Sequence, residues 1–218
     1  YTSVTTGDIA SGFTITNTNT EKVDVPVKKE WVGPKTNSVT VHLLADGTDT
    51  GKTVTLDEAG NWTGTFSNLP KYKSGTAITY TVKEDDITNY TSTTTGDATT
   101  GFTITNTNTE KVNVPVTKIW IGPKAGPVTV HLLADGTDTG KTLTLDEAGN
   151  WTGTFSSLDK YKADDTEIVY TVKEDDLANY TVAITGDITS GFTITNTNTE
   201  KVNISGTKTW DDNNNQDG

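Results

Sequence analysis

One segment, GFTITNTNTEKV, occurs three times, at Gly12 to Val23, Gly101 to Val112 and Gly191 to Val202. It belongs to a larger repeat. Trp31, Trp120 and Trp210 recur at intervals of 89 and 90 residues, and Trp62 and Trp151 are 89 apart. VTVHLLADGTDTGKT starts at Val39 and again at Val128, and YTVKEDD at Tyr80 and Tyr170. The extra residue of the second copy falls where KADDTEIV replaces KSGTAIT, a loop-type insertion. A fixed period of this length makes each copy one folding unit, restacked along the chain.

Each copy reads as about seven short strands. In the first copy they are expected near 25–32, 38–45, 52–57, 62–68, 77–85, 90–96 and 101–108. Gly33-Pro34, Asp46-Gly47, Ala59-Gly60-Asn61, Ser74-Gly75 and Gly96-Asp97 punctuate them. No window carries a helical period. Seven strands in about 85 residues suggest an all-β fold, a sandwich of immunoglobulin-like size. The linker around Glu110 to Asn113 is short, so the expected arrangement is an end-to-end rod. The chain divides into residues 1–22, the terminal strands of a preceding repeat; complete repeats at 23–109 and 110–199; and 200–218, the first strand of a following one. On this reading it is an excised fragment, and neither half repeat completes a sandwich by itself.

Composition narrows the function. The chain has 218 residues, 31% hydrophobic, with a formal net charge of −12. The apolar residues are few but periodic, which argues against disorder. All 17 basic residues are Lys, without a basic cluster, so nucleic acid is not an expected partner. There is no Cys, hence neither disulfides nor thiolate metal sites. No segment reads as a membrane span or a signal peptide.

Three strands carry a polar residue in the buried phase. Side chains at i, i+2 and i+4 share one face of a strand. The first strand gives Val25, Val27, Lys29 and Trp31 on one face. The fifth gives Ile78, Tyr80, Val82 and Glu84, and the last Phe102, Ile104 and Asn106. The second copy repeats the set with Lys118, Glu174 and Asn196. Burying a lone Lys or Glu costs roughly several kcal/mol, so such groups pair or become neutral. Desolvation pushes a Lys pKa down and a Glu pKa up. A neutral amine is a nucleophile, and a protonated carboxyl can polarise an amide carbonyl. Lys attack on the Asn amide would release ammonia and leave an isopeptide cross-link. Phase alone leaves a second reading open: a buried hydrogen-bonded cluster, or strand ends where alternation no longer implies burial.

VKKEW, VTVHLLADG, NWTGTFSNLPKY, YTVKEDD and FTITNTN, in that order, resemble the Cna B-type repeat of Gram-positive collagen-adhesin-like surface proteins and pilins. The resemblance covers both complete copies and both halves. It implies an inverse immunoglobulin-like β-sandwich with an intramolecular Lys–Asn isopeptide bond promoted by a buried acid. By motif, the family's Lys matches Lys29 and Lys118, its Asn matches Asn106 and Asn196, and its acid matches Glu84 and Glu174. Asn17 lacks an upstream Lys and Lys208 a downstream Asn, so no cross-link is expected at either. No cofactor and no metal is implied.

Other signals are weaker. His42 and His131 occupy equivalent positions and read as ordinary surface or packed histidines. NNNQDG at Asn213 to Gly218 loosely resembles the start of a calcium loop but reads better as a solvated turn. DEAGNW at Asp57 and Asp146 reads as a hairpin turn into a packed Trp. The Asp pairs after Glu84 and Glu174 read as solvated strand ends, not glycosidase carboxylates. No nucleophile–His–acid set, metal cluster or phosphate loop is present, so an enzyme acting on an external substrate is disfavoured. The expected function is a structural stalk of an extracellular, cell wall-anchored adhesin, with a ligand-binding adhesin module as the alternative. The expected partners are neighbouring repeats of the same chain, with a host matrix ligand reached through other domains.

Overall fold

The computed structural model describes residues 1–211, and their regular elements are all β. The chain forms two compact units. One comprises residues 1–112 with 157–168, the other residues 113–156 with the described residues from 169 onward.

In the first unit, β1 (Thr2–Asp8) and β2 (Gly12–Thr18) form an antiparallel hairpin, exposed throughout. A sandwich follows. Its elements are β3 (Lys22–Val32), β4 (Ser38–Ala45), β5 (Thr48–Asp57) and β6 (Thr63–Pro70), the two-residue strands β7 (Tyr72–Lys73) and β8 (Thr76–Ala77), then β9 (Tyr80–Glu84), β10 (Tyr90–Asp97) and β11 (Gly101–Asn108). One sheet has the order β10-β11-β3-β6 and the facing sheet β5-β4-β9. The last strand, β11, lies parallel to the first, β3, with Ile104 opposite Lys29 and Asn106 opposite Trp31. This is the inverse immunoglobulin-like sandwich. The alternating burial of β3 and β11 is what seats Val25, Val27, Phe102 and Ile104 in the core. The facing sheet supplies Val39, Val41, Leu43, Leu56 and Tyr80 to the same core.

The second complete repeat has the same plan. Its strands are β12 (Lys111–Ile121), β13 (Val128–Ala134), β14 (Thr137–Leu145), β15 (Thr152–Asp159), β16 (Tyr170–Glu174), β17 (Tyr180–Asp187) and β18 (Gly191–Asn198). The sheets are β15-β12-β18-β17 and β14-β13-β16, with β18 parallel to β12.

Two local features differ from the sequence reading. The strand expected at 77–85 is shorter, because the backbone before Tyr80 bonds elsewhere. The Ile78 N–H donates to the Lys71 carbonyl at 2.9 Å, and the Thr79 N–H to Asp46 Oδ1 at 2.9 Å. Ile78 therefore packs against the core from outside the strand. The second feature is the turn into Trp62, where Asn61 and Trp62 take φ values of 51° and 58°. A large side chain rarely adopts this left-handed backbone, so the surroundings must hold it. The Trp62 N–H donates to the Asp57 carbonyl at 2.8 Å, while its own carbonyl accepts the Lys29 N–H at 2.8 Å. Residues 199–211 have no regular secondary structure. The NNNQDG motif lies outside the described residues.

Candidate functional site

Alternation along β3 places Lys29 in line with Val25 and Val27, and β9 places Glu84 in line with Tyr80. Asn106 follows Phe102 and Ile104 on β11. All three polar residues are buried, with relative exposures of 3%, 7% and 1%. Lys118, Glu174 and Asn196 are buried likewise, at 4%, 4% and 0%. The structure thus brings each predicted trio inside its own sandwich.

Glu84 is contributed by the facing sheet and points across the core. Its Oε1 lies 3.4 Å from Lys29 Nζ. In the second repeat Glu174 Oε2 lies 3.7 Å from Lys118 Nζ. Both are ion-pair distances, but neither carboxylate oxygen makes a hydrogen bond. Lys29 Nζ instead donates to the carbonyls of Glu30 at 3.3 Å and Ile104 at 3.4 Å. Lys118 Nζ does the same with Ile119 at 3.2 Å and Ile194 at 3.5 Å. The Ile104 and Ile194 contacts tie the amine to the last strand. Asn196 Nδ2 donates to Glu174 Oε1 at 3.0 Å. The carboxamide oxygens of Asn106 and Asn196 are buried without a donor. Each unpartnered carboxamide oxygen has the capacity to accept a carboxylic O–H.

An aromatic wall closes each site. Lys29 Nζ lies 4.4 Å from the Trp31 ring centroid, and Lys118 Nζ 4.3 Å from that of Trp120. Trp31 packs edge-on against Trp62 and Tyr90, at 5.2 and 5.4 Å. Trp120 packs likewise against Trp151 and Tyr180. The Lys29 and Lys118 side chains are fully enclosed, and the electrostatics follow. Burial depresses the pKa of Lys29 and of Lys118, against the opposing pull of Glu84 and Glu174. Burial raises the Glu174 pKa, only partly offset by Lys118 and by the Asn196 hydrogen bond. Each of these shifts disfavours the charged form of the group concerned.

Two sets of contacts were missed in the sequence reading. His42 contacts two carboxylates, Asp49 at Nδ1 (3.2 Å) and Asp85 at Nε2 (3.1 Å). His131 sits between Asp138 and Asp175 in the same way. The carboxylates lie on opposite ring nitrogens, so each histidine ties three segments of a sheet together. Asp85 and Asp175 are thereby sheet fasteners as well as exposed strand ends. Among the described residues no group of His, Cys, Asp and Glu could hold a metal ion. The second omission is Ser92, whose hydroxyl donates to Glu84 Oε2 at 3.2 Å. The alternation of β10 could have found it, because Ser92 pairs with Asn106. Outside the sandwiches, Asn17 is exposed on β2, and Lys208 lies over the exposed Trp210 ring.

The Cna protein B-type domain family matches residues 25–107 and again 114–197. The chain belongs to that family. A collagen adhesin of Staphylococcus aureus is 36% identical over 234 aligned residues, covering 100% of this chain and 19% of that protein. The chain therefore spans about a fifth of the length of this relative. A crystal structure of a single B repeat unit of the S. aureus collagen-binding surface protein is 33% identical. It covers 83% of this chain and 100% of that one, with a TM-score of 0.39. A structure of two B repeat units of the same protein is 32% identical, covering 91% of this chain and 55% of that one, with a TM-score of 0.39.

Proposed function

We propose that this chain is a stalk segment of a Gram-positive cell-surface adhesin, and that each complete repeat cross-links itself through an isopeptide bond. The proposed bonds join Lys29 to Asn106 and Lys118 to Asn196, promoted by Glu84 and Glu174. The observation that carries this reading is the buried Lys–Glu–Asn trio inside a dry aromatic wall, in both repeats. Burial disfavours the charged forms of Lys29, Lys118 and Glu174, which favours a neutral amine and, in the second repeat, a carboxylic acid. The carboxyl donates its proton as a hydrogen bond to the Asn carbonyl. The Lys Nζ lone pair attacks Asn Cγ, the Cγ–Nδ2 bond breaks, and Nδ2 leaves as ammonia with a proton lost by Nζ. The carboxyl carries protons between these atoms and is regenerated. Each repeat reacts once, without turnover and without a cofactor.

The topology gives the bond a mechanical role. Because β3 and β11 are parallel neighbours, pulling on the two ends of a repeat shears them past each other. A Lys29–Asn106 bond carries tension directly from the last strand into the first. Residues 30–105 then lie inside a covalently closed loop that bears none of the load. Repetition of a load-bearing module suits a spacer that projects a binding domain from the cell wall. The exposed aromatic side chains among the described residues, Tyr1, Phe13 and Trp210, lie outside both complete repeats, so no aromatic patch favours the ligand-binding alternative.

The test is the intact mass of the denatured chain. Amine attack on an amide removes ammonia, so two bonds lower the mass by about 34 Da, with peptide mapping placing them at the named pairs. A mass equal to that of the sequence refutes the cross-link.

A further inference from the structure

The two repeats present inner faces of the same composition around the trio. Val25, Val27, Lys29 and Trp31 answer to Val114, Val116, Lys118 and Trp120. Tyr80, Val82 and Glu84 answer to Tyr170, Val172 and Glu174, and Phe102, Ile104 and Asn106 to Phe192, Ile194 and Asn196. The difference lies on the neighbouring edge strand. In β10 the residues opposite Asn106 and Ile104 are Ser92 and Thr94. In β17 the residues opposite Asn196 and Ile194 are Val182 and Ile184.

This substitution changes what the acid touches. In the first repeat the Ser92 hydroxyl donates to Glu84 Oε2 at 3.2 Å, and the Glu84 side chain keeps 3% of its surface exposed. In the second repeat Val182 offers no donor. The Glu174 side chain is fully enclosed, and its hydrogen bond comes from the reacting partner, Asn196. A donated hydroxyl stabilises a carboxylate, and the reaction needs the carboxylic acid. Val182 is 40% exposed at the sheet edge, so what the apolar side chain removes at this place is the donor.

We infer that the edge-strand residue opposite the reactive Asn sets the rate of cross-linking, with Ser92 slowing the first repeat and Val182 speeding the second. The inference rests on the cross-link reading above and assigns its regulation. Ser92 and Val182 are positioning residues: they act through the acid and never touch the bond being made. Their effect is to make the repeats of one chain mature in a set order, the second before the first.

The experiment is a pulse of cell-free synthesis of the full chain, quenched in denaturant at intervals, with cross-linked and linear peptides of each repeat counted by mass spectrometry. It is run on the wild-type chain, Ser92→Val, Val182→Ser and the double exchange, from pH 5 to pH 8. The second repeat is expected to cross-link about tenfold faster, the lower end for losing a hydrogen bond to a charged group. Ser92→Val brings the first repeat up to that rate, Val182→Ser slows the second, and the double exchange reverses the order. The Ser variants also react progressively more slowly toward high pH than their Val counterparts. Tryptophan fluorescence reports folding separately, and equal folding with unequal cross-linking is the expected pattern. Each exchange imports a residue that the same fold already carries, so both variants should fold. If both repeats lose ammonia but the exchange leaves rates, order and pH profile unchanged, this inference is overturned and the cross-link stands. If neither repeat loses ammonia, both fall.

Discussion

On the proposed cross-link, replacing Asn106 with Ala removes the bond of the first repeat and leaves that of the second. Lys29 and Asn106 are 77 residues apart along the chain, and the proposed bond between them would close nearly the whole sandwich into a loop. The chain-entropy treatment of a loop this long gives about 4.5 kcal/mol of stabilisation at room temperature. The cavity and the changed polar contacts left by the Asn side chain shift this by about 1 kcal/mol. For a domain of this size each kcal/mol moves the midpoint by roughly 4–8 °C, so the first repeat should melt about 20–35 °C lower. The second repeat retains its bond, so calorimetry should resolve two transitions in the variant, with only the lower one displaced. The intact mass should rise relative to wild type by about 17 Da, after correction for the substitution. Lys29→Met provides a second route to the same state, since it removes the nucleophile and keeps the bulk. The two variants should agree within about 2 kcal/mol, because the closed loop they lose is the same. Loss of the cross-link by mass with a midpoint shift of a few degrees would refute the loop argument. It would mean that hydrogen bonds and packing alone hold the first strand to the last.

Four further outcomes follow from the same geometry. Glu84→Gln and Glu174→Gln should each abolish ammonia loss in their own repeat, read by mapping, because an amide cannot carry the protons. In single-molecule pulling, Asn106→Ala should add an unfolding step of roughly 270 Å contour, 77 residues at about 3.5 Å each, that wild type lacks. Gly64→Ala should destabilise the first repeat by about 1–3 kcal/mol in chemical denaturation, since its Cβ would sit 2.7 Å from Leu56 Cδ2 and Val54 Cγ2. In Asn196→Ala, Glu174 holds its proton more tightly when folded, so stability falls as pH rises from its ordinary 4.5 through the raised value. Lys118 holds its proton less tightly when folded, so stability climbs again with pH up to its ordinary 10.5. Denaturation from pH 4 to pH 10 should trace both limbs in that variant and lose the alkaline limb in the parent, where the proposed bond would leave Lys118 unable to titrate.

The period of the repeat and the alternation of its strands belong to the sequence by itself. They mark Lys29, Glu84 and Asn106 as out of place, because a strand's two faces are legible wherever one of them is apolar. Chemistry then follows from residue type, and the motif order leads to the family. Alternation says nothing of which strands are neighbours. That β11 lies parallel to β3, and that Glu84 reaches across from the other sheet, are consequences of long-range pairing. The start of β9 was misjudged for the same reason: Ile78 keeps the right phase, but its backbone bonds to Lys71 outside the strand. The clasp of His42 by Asp49 and Asp85 was hidden because its members come from separate segments brought together by the sheet. Ser92 and Val182 look like one more surface difference between copies until β10 and β17 are paired with the strands that carry the asparagines. A side chain's face is set within a few residues of chain, and sequence decides it. Its neighbours are set by contacts between residues far apart in sequence, and only the folded sandwich decides those.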